Sequence, residues 1–230
     1  AAFQKKRFGW DLDPKAVRVA PAVLPALEAM IQYLVRPGSP VIVPTPAYMP
    51  FLTIPPALGH SVIEVPSLHG DAYPGGWTLD LDGIKAGLEA GAGLVILCNP
   101  WNPVGRVLTE AEMRALQELV SRYDALVFSD EIHSPLVLGG RDFVSYARMG
   151  AEFASHTITA TAATKGWNIA GLPNAQVIIP DEGLRERWDS ICQEKLPHSM
   201  STIGALGSIE AYTNGDEWQR EIFEVIEGNI

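Results

Sequence analysis

Four segments of the chain carry a polar side chain just beyond a short apolar run, and between them they supply an amine, a carboxylate, an amide and a phenol. Lys165 stands in the run TAATKGWN, among small, apolar and hydroxyl residues. Lysine is among the least buried residue types, and desolvation turns a lysine amine into a usable nucleophile or base. A partly desolvated amine is expected here. Asp130 follows the apolar run 125–128. An ionised carboxylate at the end of a buried strand is costly without a partner, so a cationic partner is expected. Asn102 lies in NPWNPVG, where each proline locks φ and restricts the residue before it, giving a stiff turn that aims one amide in one direction. Tyr48, in PTPAYMPF, can present a flat ring to a ligand. Of the five histidines (60, 69, 133, 156 and 198), only His133 lies near these residues, three positions beyond Asp130, and their spacing suits no metal. Taken singly, each residue has an ordinary explanation: a solvated loop lysine, a capping carboxylate, a strand-to-helix turn, a core aromatic.

A frame that gathers strand ends is needed to make these residues a site. Residues 22–36 carry an apolar helical stripe (Val23, Leu27, Met30, Ile31, Leu34) closed by Pro37-Gly38. Short strands are expected at 41–43, 62–65, 94–98, 125–128, 157–161 and 177–179. The run at 94–98 is apolar throughout, as in a parallel sheet buried on both faces, and the one at 157–161 alternates with threonine. Helices are expected at 79–90 and after the capping box Thr109-Glu110-Ala111-Glu112, with Leu116, Leu119, Val120 and Tyr123 on one face. Beyond Asp181 the chain reads as wholly helical, with Leu184, Trp188 and Ile191 on one stripe. Strands alternating with helices predict an α/β fold, three layers (α/β/α) around a mostly parallel central sheet. In such sheets ligands lie outside the carboxyl ends of the strands.

Length and composition narrow the classes. A chain of 230 residues allows one large domain or one and a half, and 47% hydrophobic against 19% charged residues excludes extensive disorder. A net charge of −10 repels a phosphate backbone, so no nucleic-acid partner is expected. The apolar runs are too short to span a bilayer, so no membrane role is expected. Two cysteines make no disulfide framework, and a reduced, cytoplasmic setting is the default. Dinucleotide, Walker, G-x-S-x-G and H-E-x-x-H patterns are absent. Both ends read as cut: Phe8-Gly9-Trp10 precede any element to support them, and a helix at 218–227 stops almost as the chain does.

In order, NPWNPVG, SDEIH and TAATKGWNIAG resemble the ring-contact loop, pyridinium aspartate and Schiff-base lysine of the fold-type I pyridoxal-phosphate enzymes. Asp130 follows Asn102 by 28 residues and Lys165 follows Asp130 by 35, which suits that superfamily. PTPAYMPF, CNPWNPVGRV, SDEIHSPLV and the K-x-W-N-I-A-G ending are similar to the C–S lyase branch of the class I/II aminotransferases, the cystathionine β-lyase or PatB/MalY-like group. The resemblance runs from about Phe8 to the end of the chain.

The resemblance implies pyridoxal 5'-phosphate as cofactor, with Lys165 attached to it and then serving as the base at the substrate Cα. Asp130 would pair with the ring N–H, Asn102 would donate to the phenolic oxygen, Tyr48 would stack on the ring, and His133 would support the site. Thr164 and the turn at Ala22 and Val23, opening a helix, would hold the phosphate. Relatives usually have glycine where Ala22 stands; alanine fits if its φ stays negative. Many aminotransferases carry an arginine eight residues past the lysine, where this chain has Pro173, and that departure favours the lyase branch. The implied reaction is α,β-elimination on cystathionine or a related L-cysteine conjugate, giving pyruvate, ammonia and a thiol. An aminotransferase using the same residues, and a catalytically silent binding domain, stay open. The resemblance also implies an amino-acid substrate and a homodimer when full length. Residues 1–230 are expected to be the large cofactor-binding domain, without the N-terminal segment and most of the C-terminal small domain.

Overall fold

Uninterrupted apolar strands need cover on both faces, and the computed structural model, which describes residues 1–192, Leu196 and 201–230, shows how this chain provides it. In chain order the elements are α1 (Ala2–Phe8), β1 (Val17–Ala20), α2 (Val23–Tyr33), β2 (Val41–Thr45), α3 (Pro50–Ala57), β3 (Val62–Pro66), β4 (Leu68–His69), β5 (Trp77–Thr78), α4 (Leu81–Glu89) and β6 (Leu94–Cys98). They continue with α5 (Glu110–Arg122), β7 (Leu126–Asp130), α6 (Ala151–Ala154), β8 (Thr157–Thr161), α7 (Ala163–Gly166), β9 (Ala175–Ile178), α8 (Glu182–Ile191), α9 (Thr202–Asn214) and α10 (Asp216–Glu227). The central sheet runs β1-β9-β8-β7-β6-β2-β3. From β3 through β8 all neighbours are parallel, while β9 is antiparallel to both β8 and β1. β4 and β5 form a separate antiparallel pair.

Successive strand residues point to opposite faces, and the two cores follow that alternation. Val43, Ile96, Phe128 and Ile158 pack under Leu27, Met30 and Ile31 of α2 and Leu184 and Trp188 of α8. Ile42, Val95, Leu97 and Val127 pack under Ile84 and Leu88 of α4, Met113, Leu116 and Val120 of α5 and Phe153 of α6. These are the expected three layers. The Thr109/Glu112 capping box opens α5 as expected. Among the described residues no group of His, Cys, Asp or Glu side chains could hold a metal ion; His198 lies outside those residues. No helix among the described residues is long and apolar enough to cross a membrane.

Several local expectations need correction. Phe8, Gly9 and Trp10 are supported, by elements that come later in the chain. Gly9 closes α1 in the left-handed region (φ 64°), which glycine enters without penalty. Phe8 meets Phe143 edge-on at 5.1 Å, and Trp10 packs with Leu12, Ala16, Ala147 and Ile178. On α8 the buried residues are Leu184 and Trp188, followed by Cys192 at the helix end, while Ile191 is exposed although its spacing puts it on the same stripe. β8 shows no exposed polar face: all five residues are buried. Two of its threonines are satisfied by carbonyls, Thr157 donating to Phe153 and Thr161 to Glu131, while the buried Thr159 hydroxyl has no partner among the described residues. β7 runs on through Ser129 to Asp130, so Asp130 ends the strand and does not follow it. The strand β1 and the helices α3 and α7 carry no periodic signal; α3 even contains Pro55 and Pro56.

Candidate active site

The carboxyl ends of β6, β7 and β8 lie side by side, with Cys98 opposite Asp130 and Asp130 opposite Ala160. Asp130 is 4% exposed. Its Oδ1 accepts from the Ile132 amide at 3.0 Å, and it has no ion pair among the described residues. Burial pushes its carboxyl up to about 7, against smaller opposing effects of the Ile132 amide and the Lys165 charge. The expected cation is therefore present as a neighbour in the field and not as a bonded partner.

Lys165 sits on α7, one short turn past β8. The expectation of a partly desolvated amine is not met, because the residue is exposed. It forms part of a cavity wall. His133 is half-buried, and both burial and the Lys165 charge hold its proton affinity below the ordinary histidine value. Ala22 precedes α2 with φ −158° and ψ 177°, extended backbone that alanine adopts freely, and no side chain caps the first amides of α2.

The two Asn-Pro pairs play different parts. Asn99 turns inward, fully buried, its Oδ1 accepting from the Leu108 amide at 2.9 Å. Asn102 faces the other way, toward the cavity. Its loop is pinned on two sides. Trp101 Nε1 donates to the Pro46 carbonyl at 3.0 Å, tying the loop to the segment that bears Tyr48. Arg106, 5% exposed, grips Glu112 with both nitrogens at 2.7 and 2.6 Å and also donates to the Trp77 carbonyl. Burial alone would raise the Glu112 carboxyl, but Arg106, Thr109 and Thr78 outweigh it and hold the group at about 2. Replacing Arg106 by Met leaves that carboxylate without its cation, and a loss of about 3 kcal/mol in unfolding free energy is expected by urea titration. No change in the urea midpoint would show that the pair contributes nothing.

All eight residues singled out in the sequence (Ala22, Val23, Tyr48, Asn102, Asp130, His133, Thr164 and Lys165) line one cavity of about 320 Å³. Its wall also includes Cys98, Ile132 and Asn174, which the sequence reading missed. Asn174 immediately precedes β9. Because β9 runs against its neighbours, its amino end lies at the same sheet edge as the carboxyl ends of the parallel strands. A search confined to residues after strands passes over it. A larger cavity of about 1190 Å³, bordered by α1, α10 and residues 137–149, contains none of the eight and mixes acids with bases, without a buried titratable group aimed at a ligand.

Comparison with known proteins gives a consistent picture. The family model for aminotransferase class I and II matches residues 1–194. A cystathionine β-lyase of Corynebacterium glutamicum is 34% identical over 227 residues, 99% of this chain and 59% of that protein. The crystal structure of a putative pyridoxal-phosphate-dependent β-cystathionase from Corynebacterium diphtheriae superimposes with a TM-score of 0.88 at 35% identity, covering 100% of this chain and 58% of that one. Cystalysin from Treponema denticola, crystallised with pyridoxal 5'-phosphate, gives 0.91 at 28% identity, covering 99% and 57%. The chain thus spans somewhat under three fifths of the relatives it matches.

Proposed function

We propose that this chain, which belongs to the aminotransferase class I and II family, is the cofactor-binding part of a pyridoxal-phosphate-dependent C–S β-lyase acting on cystathionine or a related L-cysteine conjugate. The observation that carries the reading is the convergence of Lys165, Asp130, Asn102 and Tyr48 on one cavity at the strand ends. The donors and acceptors there fit the cofactor. A buried carboxylate without a bonded cation suits a protonated ring nitrogen. The uncapped start of α2, with Thr164 close by in the same wall, suits a phosphate dianion. When bound, pyridoxal phosphate supplies the sink for the electron pair left at the substrate Cα.

The chain's own residues do the rest. Lys165 would hold the cofactor through its amine and, once released, would take the proton from the substrate Cα. Asp130 would keep the ring nitrogen protonated, and burial would make that pairing strong. Asn102 would donate from its amide to the phenolic oxygen. Tyr48 offers its ring face, while His133 lies beside Asp130 and Lys165 as a neutral neighbour that adds no competing charge. Thr164 gives a hydroxyl, and the amides at Ala22 and Val23 complete the anion cradle. Loss of the Cα proton with departure of the β-sulfur as thiolate, which takes up a proton, would leave an aminoacrylate, and addition of one water to it would give pyruvate and ammonia.

The lyase assignment draws on the C. glutamicum relative and on Pro173, which lies in the cavity wall without a cation. The family name favours the second reading, transfer of an amino group to a 2-oxo acid. The reading includes a homodimer and residues 1–230 as one large domain. Supplying the whole gene product with L-cystathionine, with and without a 2-oxo acid, separates the cases. Pyruvate and thiol without the oxo acid support the lyase. A new amino acid formed only with the oxo acid supports the aminotransferase. Neither product, from a protein that binds the cofactor, identifies a silent domain.

A further inference from the structure

Glu131 is a buried carboxyl group that the proposed chemistry does not use. It is 1% exposed. Strand alternation sends Asp130 to the cavity side of the sheet and Glu131, with Ser129, to the opposite face. There one oxygen, Oε1, accepts from three groups: the Ser129 hydroxyl at 3.0 Å, the Ser145 hydroxyl at 2.9 Å and the Tyr146 amide at 3.1 Å. Ser129, Ser145 and Tyr146 are themselves fully buried. Buried donors that share one acceptor make a joint between the end of β7 and the corner at 145–146.

The backbone of the same residue closes β7 against β8. Its amide donates to the Ala160 carbonyl at 2.8 Å, and its carbonyl accepts from the Thr161 hydroxyl at 3.1 Å. β8 leads directly into α7 and Lys165. Glu131 thus stands where the two strand ends that carry Asp130 and Lys165 are joined.

The grip reaches Asp130 through one amide. Asp130 Oδ1 accepts from the Ile132 amide at 3.0 Å. That amide belongs to the planar peptide unit joining Glu131 to Ile132, so its direction follows from how residue 131 is held. The order of transmission is Ser145 and Tyr146, then Glu131, then the Ile132 N–H, then the Asp130 carboxylate. Without the joint, the chain leaving β7 can turn, and the carboxylate loses the donor that sets its orientation.

We infer that Glu131 is a positioning residue: by gripping Ser129, Ser145 and the Tyr146 amide it aims the Ile132 amide, and so holds the Asp130 carboxylate in place for the ring nitrogen of the cofactor. The inference rests on the cofactor reading above. The role depends on reach and not on charge, because an amide oxygen at the same reach accepts from the same donors.

The test is a double-mutant cycle on the whole, cofactor-loaded gene product. Turnover is followed with L-cystathionine, or with an amino acid and a 2-oxo acid where transfer is the reaction found. E131D keeps the charge but is shorter, and E131Q keeps the reach without the charge. Each is made alone and together with D130N. E131D is expected to lower kcat about tenfold with KM nearly unchanged, since small misplacements of a site group are costly, while E131Q stays within about threefold of the parent. Beside D130N, E131D should cost less than about twofold more, because the misplaced group no longer carries the charge that its position served. Thermal melts show that each variant is folded at the assay temperature. If E131D fails to fold, S145A takes its place in the cycle, with an expected loss of about threefold that likewise vanishes beside D130N. Equal losses with and without D130N would mark a merely structural residue and overturn the inference. So would E131Q as damaging as E131D, or no loss in either. An unaltered protein without cofactor-dependent turnover of either kind would overturn the cofactor reading as well.

Discussion

Lys165→Ala is expected to lower turnover of an L-cysteine conjugate by roughly 10⁴-fold or more, because under the proposed function it would remove both the attachment of the cofactor and the base at the substrate Cα. The side chain is exposed and makes no hydrogen bond or ion pair among the described residues. The variant should therefore fold and melt like its parent, which separates lost chemistry from lost structure. Hydride reduction of the loaded protein followed by denaturation and mass spectrometry supplies a second reading. The unaltered chain should retain the cofactor mass on the peptide containing Lys165, and the variant should retain none. Turnover within tenfold of the parent, or retained mass on another peptide, would sink the assignment.

Asp130→Asn should act in opposite directions on activity and on ligand-free stability. Loss of the charge facing the ring nitrogen is expected to cut turnover by roughly 10²–10³-fold. Without ligand, the carboxyl is raised from 3.8 to about 7 by burial. The folded state thus holds a proton between about pH 4 and pH 7 that the unfolded state has released, so stability falls as pH rises through that window. Glu131, also raised to about 7 by burial despite accepting from Ser129, Ser145 and the Tyr146 amide, contributes a slope of the same sign. The neutral amide can still accept from Ile132 and carries no such penalty. At about pH 8 the ligand-free variant should be more stable than its parent, on the order of 3 kcal/mol, and near pH 4 the two should melt together. A variant that melts below its parent at the higher pH would show that burial does not strain this carboxylate. Adding the cofactor should reverse the order, since the charged form then gains a partner.

Much of the fold was legible because the signals were local. The run at 94–98 matches β6 residue for residue, and the Thr109/Glu112 box opens α5 as read. Apolar strands with cover on both faces, alternating with amphipathic helices, leave few arrangements besides a layered α/β domain. The elements that were missed had no periodic pattern to read. Two prolines disguise α3, and α7 has only four residues, although it carries Lys165. Ile191 shares a helical stripe with Leu184 and Trp188 by spacing, and only packing at the end of the short α8 leaves it outside while Cys192 is buried.

The same division holds for the site. Residue types and their order along the chain were enough to pick out side chains that line one cavity, because parallel strands deliver their trailing residues to one edge whatever the details of packing. Tertiary structure alone decided the electrostatic state of those residues. Asp130 lost water to neighbouring strands and not to its sequence neighbours, while Lys165 kept it. Which asparagine of NPWNP turns inward was likewise settled by Leu108 and Met113, reached only after the loop folds back. Asn174 reached the cavity wall through a reversed strand, and its amide oxygen accepts from Gln176, which in turn accepts from Tyr212 of α9. Neither strand direction nor a hydrogen bond spanning 36 residues leaves a mark on local sequence, since both arise from contacts formed only when distant segments pack.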